Sequence, residues 1–373
     1  MVIGIDARLW SQTGIGRYVR NLCLNLDKID KKNEYMLFVL NSDEHDIRSQ
    51  IKNKKFKFVN VNIRWHSISE QLKFPKVIEK ENVDVMHFPY QQSVPIFYNK
   101  PFIITIHDLV RHHFITGKAS TNPLWLYGFK MLAYKIFINS AARRAQKIIA
   151  VSNSTKREIL DHLRVDSGKI EIIYEAADDF NNQKPQKIDI ESYFLYVGNV
   201  YPHKNDDLLI KAFKKFSKNN NTKLVFAGNS DKFYKKLKKD NKNLIDEGKI
   251  IVFENASDEF LYSLYKNAIC LVRPSLMEGF SLPPLEALQC RCLVLASNIS
   301  THKEIFADTI IYFNPYQIQD IIDKMGYAYK LDKKTKEDYI EKGLILAQGF
   351  SWESTARQTL KVYEDSTRLR SDK

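Results

Sequence analysis

Short apolar runs alternate with amphipathic stretches along this chain, and the pattern runs through twice. That alternation constrains the fold more than any other feature. Residues 2–6 (VIGID), 35–40 (YMLFVL), 56–61 (FKFVNV), 84–88 (DVMHF), 102–107 (FIITIH) and 147–152 (KIIAVS) read as buried strands. Between several of them lie helical patterns. In GRYVRNLCLNLDKI, Val19, Leu22, Leu26 and Ile29 recur at three- and four-residue spacing. A polar, proline-containing stretch at 181–192 then interrupts the pattern and is expected to be a linker. The alternation restarts with strands at 193–199, 222–229, 249–255, 268–275 and 292–297. Continuous apolar strands separated by helices indicate parallel sheets covered on both faces. The expected fold class is therefore α/β: two doubly wound Rossmann-like domains, 1–180 and 193–350, facing a cleft. A chain of 373 residues is long enough to give each its own core.

Charge and cysteine usage narrow the setting. The chain carries 57 Lys and Arg against 44 Asp and Glu, a net +13. Such an excess suits nucleic acid, an acidic membrane surface or a phosphorylated substrate, and equally a merely solvated lysine-rich exterior. Cys23, Cys270, Cys290 and Cys292 form no C-x-x-C pair, which argues against a zinc centre and for a reducing compartment. The N-terminus opens directly on a strand, and no apolar run approaches the roughly 18 residues of a membrane span. A cytoplasmic protein is expected, with peripheral attachment to the inner face of the cell membrane as a further expectation.

In open parallel sheets, ligands bind beyond the carboxyl ends of the strands, so the residues there are the candidates. After the first strand, TGIGRYVR holds Gly14 and Gly16. The dinucleotide fingerprint is incomplete because position 19 is Val. What remains is a glycine turn at a helix N-terminus, a general anion and hydroxyl site, or a simple tight turn. His107 ends a strand on the cleft side, and the adjacent Asp108 could fix its tautomer. For His87 a structural role is expected. Asn205 is a plausible N-cap, which leaves Lys204 just before a helix N-terminus, where the dipole disfavours a cation. A bound phosphate would resolve that conflict.

The segment RPSLMEGFSLPPLEALQC (273–290) places Glu278 and Glu286 on either side of a loop that opens a helix at Pro283-Pro284. The amides of Gly279, Phe280, Ser281 and Leu282 can cradle an anion there. No D-x-D is present to hold a metal. Two carboxylates flanking an anion cradle suit hydroxyl recognition: one for a ribose, one for a sugar, with a diphosphate between them.

These residues resemble the signature of the retaining glycosyltransferase family 4, on the GT-B fold. The likeness runs through GIGRY, TIHDL (105–109), IAVSNSTKREI (149–159), YVGNVYPHKN (196–205), the E-x7-E of EGFSLPPLE, and FSWESTA (350–356). It implies that Glu278 contacts the donor hexose and Glu286 the nucleotide ribose, and that the loop amides hold the diphosphate. It further implies that His107 lies beside the transferred sugar, that Lys204 neutralises the leaving group, and that residues 351–373 cross back onto the first domain. Asn199 and His203 stand where family members commonly have arginine; Arg17 and Arg273 are spare candidates. The branch is similar to mannosyl- and rhamnosyltransferases. The resemblance thus implies hexose transfer, with GDP-mannose the first guess, from a nucleoside-diphosphate sugar to a glycan or lipid-linked acceptor. It implies neither metal nor cofactor, and no nucleic-acid partner. A nucleotide-sugar 2-epimerase shares the fold, and a non-catalytic binding subunit is the rival from another class. Finally, 122–147 is expected to form one long helix with Pro123 in its first turn. That helix is expected to be an ordinary buried one packed on the N-terminal sheet; the alternative rests Trp125, Tyr127 and Phe129 in a membrane interface, with Arg111, Lys118 and the lysines of 52–57 as basic neighbours.

Overall fold

The computed structural model describes residues 1–65, 67–114, 124–178, 180 and 183–371. The chain divides into two compact units. One comprises Met1–Gly117, Asn122–Glu175 and Ser351–Lys373; the other spans Ala176–Phe350. The division at Glu175–Ala176 lies a few residues ahead of the boundary read from sequence.

The first unit holds a seven-stranded sheet in the order β3-β2-β1-β4-β5-β6-β7. The strands are β1 (Val2–Asp6), β2 (Glu34–Val39), β3 (Phe56–Asn60), β4 (Val85–Phe88), β5 (Phe102–Ile106), β6 (Lys147–Ala150) and β7 (Ile170–Ile172). Every pairing is parallel. The second unit repeats the plan with β8 (Tyr193–Val197), β9 (Lys223–Gly228), β10 (Ile250–Glu254), β11 (Cys270–Arg273), β12 (Val294–Ser297) and β13 (Ile311–Phe313), in the order β10-β9-β8-β11-β12-β13. Its pairings are parallel too. Both orders reverse direction after the unit's first strand, between β1 and β4 and between β8 and β11. This is the topological switch point of a doubly wound fold, where a crevice opens at the carboxyl edge.

Sequence periodicity located eleven of these thirteen strands; β7 and β13 are three-residue edge strands, too short to show a period. The helix after β1 covers Ile15–Ile29, as its spacing predicts, with Val19, Leu22 and Leu26 buried. The helix expected over 122–147 runs Leu124–Arg144, because Lys147 already belongs to β6. Asn122, Pro123 and Lys118 lie outside the described residues, as do the side chains of Trp125, Tyr127 and Phe129. Among the described residues, no helix is long and apolar enough to cross a membrane. All four cysteines are buried and free.

The final helix, Trp352–Ser371, packs in the first unit. The Trp352 ring meets Tyr18 edge-on at 6.0 Å. The Thr355 hydroxyl donates to the Tyr174 carbonyl at 2.7 Å. Inside the sheet, His87 bonds the Tyr363 hydroxyl through Nδ1 (2.8 Å) and the Thr105 hydroxyl through Nε2 (2.9 Å). Burial lowers its pKa to about 3, so it is a neutral core residue that ties this helix to β4 and β5.

Arg8, just past β1, is 1% exposed. Its guanidinium pairs with Asp6 (2.8 Å) and Glu70 (2.7 Å) and lies 3.8 Å over the Phe74 ring. Removing one partner of a buried ion pair leaves charge uncompensated and costs about 3–5 kcal/mol, far more than a surface pair. Glu70→Ala should therefore lower the urea-unfolding free energy by about 3–5 kcal/mol. A loss within about 1 kcal/mol, the range of an exposed pair, would show that Arg8 reaches water.

Candidate functional site

In the second unit the chemistry-bearing residues gather at the switch point. β8 ends at Val197, followed by Gly198 with φ +119°. A Cβ there would stand 3.1 Å from the Arg273 guanidinium, so glycine meets both a backbone and a packing requirement. The chain then makes a 3-10 turn, Pro202–Lys204, before the helix Asp206–Phe216. Asn205 takes the N-cap position with φ +59°, but its side chain does not cap. It donates instead to the carbonyls of Pro274 (3.2 Å) and Pro315 (2.8 Å), tying the turn to the loop after β11.

Glu278 is the centre of this loop. Its carboxylate accepts from Lys204 Nζ at 2.7 Å, from Arg273 Nε at 2.9 Å and from the Ser275 hydroxyl at 2.6 Å. The Thr301 hydroxyl holds its backbone carbonyl at 2.7 Å. Burial alone would push the carboxyl up. The Arg273 and Lys204 charges, then His302, overcome that and hold it well below the usual carboxylate range. Glu278 is thus an ionised, buried acceptor with fixed orientation. Arg273, only a spare candidate from sequence, is 3% exposed and also donates to the Val197 carbonyl at 2.8 Å. A cation at the end of an otherwise apolar strand was the signal available for it. Lys204 is no isolated ammonium awaiting an anion, since it already pairs with Glu278. The neighbouring His203 is pushed down to about 3 by burial and by the Lys204 charge.

Ser281 is the N-cap of the helix Leu282–Gln289, with φ +80° and no side-chain cap bond. Its hydroxyl lies 3.1 Å from His302 Nε2, while His302 Nδ1 lies 2.8 Å from the Ser297 carbonyl. A carbonyl only accepts, so Nδ1 carries the proton and Ser281 donates to Nε2. Burial, which lowers the His302 pKa to about 4, keeps the ring neutral. The hydroxyl is therefore turned to the histidine. Pro283 and Pro284 have no backbone N–H, so the loop amides and that of Leu282 supply the helix end. The Phe280 ring is buried edge-on against Phe350, 5.6 Å away. Glu286, 1% exposed, accepts from the Tyr265 hydroxyl at 2.8 Å. The structure thus gathers Glu278, Lys204 and Ser281 into one network with Arg273 and His302, and gives Glu286 a partner of its own.

His107 and Gly16 belong to the first unit. His107 Nδ1 lies 2.8 Å from Glu175 Oε1, and Nε2 lies 2.9 Å from the Pro89 carbonyl. Both ring nitrogens face acceptors. Burial opposes the charge, but Glu175 first and then Pro89 raise the pKa above the ordinary histidine value. Asp108 does not fix the tautomer as expected; its carboxylate accepts from the Val110 amide at 3.0 Å. The carboxylate that meets the ring is Glu175, 68 positions away, a separation no local pattern could reveal. Gly16 is buried in the first helical turn, where a Cβ would stand 2.6 Å from the carbonyls of Leu9 and Trp10. Close packing is thus enough to require glycine there.

The Glycosyltransferase Family 4 profile matches residues 12–179, and the Glycosyl transferases group 1 profile matches residues 178–345. The chain belongs to the family 4 glycosyltransferases. The O-antigen chain mannosyltransferase RfbU of Salmonella typhimurium is 30% identical over 223 residues, 59% of this glycosyltransferase and 62% of that protein. The serotype-specific mannosyltransferase WbdA of Escherichia coli is 26% identical over 246 residues, 61% of this chain and 30% of that protein. The glycosyltransferase spans less than two thirds of the length of either relative. HepE of Anabaena, solved in complex with UDP and glucose, superposes with a TM-score of 0.74 at 14% identity, over 98% of this chain and 100% of that one. This likeness shows the two-domain GT-B fold expected from the sequence.

The His107–Glu175 pair carries a pH signature. A raised folded pKa means the pair's stabilisation is complete below the ordinary histidine value and is lost as pH rises through the raised one. NMR titration should find His107 above its ordinary value in the parent and lower in Glu175→Gln. An unchanged titration in the variant would remove Glu175 as the cause.

Proposed function

We propose that this glycosyltransferase moves a hexose, mannose first, from a nucleoside-diphosphate sugar to a glycan or lipid-linked acceptor in cell-surface polysaccharide assembly. In this reading the reaction retains anomeric configuration and needs no metal. The mannosyl preference is supported by RfbU and WbdA, both mannosyltransferases; the nucleotide-sugar donor is supported by HepE, solved with UDP-glucose. The observation that carries the reading is Glu278, kept ionised between Arg273 and Lys204 beside the helix that opens at Leu282.

Each group has work suited to its surroundings. Glu278, which can only accept, orients hexose hydroxyls. Glu286 accepts from a ribose as it does from Tyr265. The loop amides and Lys204 meet the diphosphate, whose negative charge grows as the glycosidic bond to the leaving group breaks. Fixed donors in a buried site need little reorganisation, so their stabilisation is larger for the developing charge than for the bound donor. His107 is held in the first unit by Glu175 and the Pro89 carbonyl, which fix the plane of its ring beside the transferred sugar.

Glu286→Ala should weaken donor binding about 10- to 150-fold, the equivalent of roughly 1.5–3 kcal/mol for a charge-assisted bond. Lys204→Ala should lower turnover more than donor affinity. Transfer from GDP-mannose should proceed at full rate in excess EDTA, and donor incubated alone should return no isomerised sugar. Unchanged donor affinity in folded Glu286→Ala would remove the ribose assignment. Loss of transfer in EDTA, restored by Mg²⁺ or Mn²⁺, would remove metal independence.

Attachment to an anionic membrane is a second part of the proposal. On the helix Leu124–Arg144, Leu132 and Ile136 are 58% and 57% exposed, with Lys135 and Arg143 nearby. Apolar side chains among cations suit the interface of an acidic bilayer, where each cation contributes about 1 kcal/mol. The protein should sediment with phosphatidylserine vesicles at low salt and release as salt rises. Failure to bind such vesicles would leave the net charge without a membrane role.

A further inference from the structure

The chain has nine histidines, and three of them meet at one place in the first unit that the transfer chemistry does not use. His113 closes the short helix Val110–His113. Glu158 and His162 lie one turn apart, at i and i+4, on the helix Asn153–His162. His113 Nε2 stands 2.5 Å from Glu158 Oε2, and His162 Nε2 stands 3.4 Å from the same oxygen. The three atoms all lie within 4.8 Å of one another. The His113 and His162 rings meet edge-on at 4.8 Å, and the His112 ring lies 5.4 Å from that of His162. The Tyr134 hydroxyl, 3.3 Å from His112 Nδ1, orients His112 in turn.

We propose that His113, Glu158 and His162 bind one divalent transition-metal ion of the zinc, nickel or cobalt class, clasping the segment after His107 to the helix Asn153–His162. The donor set selects that class. Two imidazoles and a carboxylate suit borderline ions, whereas magnesium and calcium require oxygen ligands. Bonds of about 2.0–2.1 Å in tetrahedral geometry put donor atoms roughly 3.3 Å apart. The present spacings bracket that value, and the side chains are 37%, 30% and 34% exposed, so small rotations bring them onto an ion. An i, i+4 pair on a helix is a preorganised half-site. The third ligand comes from the segment that continues from His107 and Asp108, so the ion restrains that segment against the helix Asn153–His162. The four cysteines are buried and do not compete for the metal. The clasp is separate from the transfer chemistry and does not rest on the donor assignment.

The test uses the full chain without an affinity tag, stripped with a chelator and then desalted. Calorimetric titration with zinc chloride should give one ion per chain, and zinc should raise the melting temperature. His113→Ala and His162→Ala should each weaken zinc at least about 10-fold, the lower end of what even outer-shell changes cost at metal sites. His45→Ala, at an exposed histidine elsewhere, should leave binding unchanged. Each variant should keep the metal-free melting temperature of the parent. On the parent protein, cobalt should give a nitrogen and oxygen absorption spectrum without thiolate bands, a readout independent of any variant. Zinc binding that persists in a His113→Ala/His162→Ala double variant would overturn the proposal. So would thiolate bands in the cobalt spectrum, or no binding of zinc, nickel or cobalt by the folded parent.

Discussion

Much of the second unit's carboxyl edge is organised around one buried carboxylate. Glu278 would protonate or be expelled if it stood alone in that setting, because desolvation penalises its charge. Two cations and a hydroxyl hold it, and each comes from a different position: Arg273 from the end of β11, Lys204 from the turn after β8, Ser275 from the loop itself. The parallel sheet delivers them together because β8 and β11 are neighbours at the switch point. The network also explains local backbone choices. Gly198 keeps clear of the Arg273 guanidinium, and Asn205 gives up its capping role to tie the Lys204 turn to the β11 loop.

Charge is handled in the same way in the first unit. Arg8 is buried between Asp6 and Glu70, and His107 between Glu175 and the Pro89 carbonyl. In both units a group that water would otherwise solvate is held by partners from other elements, which fixes its ionisation state and its direction. In the proposed transfer from a charged donor this matters. A dipole or charge already in place does not have to reorganise as the bond to the leaving group breaks. The surface cluster of His113, Glu158 and His162 differs in kind. Its members are about a third exposed, and small rotations would bring them onto an ion.

The histidines show how far one residue type can diverge. His87 and His302 are neutral because burial outweighs any favourable partner. His107 is shifted the other way, upward, because a carboxylate and a carbonyl face its two nitrogens. Burial alone therefore does not set the direction of the shift; a carboxylate partner can reverse it.

The sequence by itself determined the architecture. Strand and helix periods are local, and eleven strands, the repeated α/β plan and the loop from Glu278 to the helix at Leu282 could be read from neighbouring residues. The family likeness also lay in short contiguous segments. Only the tertiary structure decided what each candidate touches. It paired His107 with Glu175 rather than Asp108, raised Arg273 from a spare cation to the main partner of Glu278, and turned the Ser281 hydroxyl to His302. It also brought His113 to Glu158 across 45 positions. The physical reason is that secondary structure follows from side chains a few residues apart. Hydrogen-bond and charge partners are chosen instead by which strand ends the sheet order makes neighbours, and that order is a property of the folded chain.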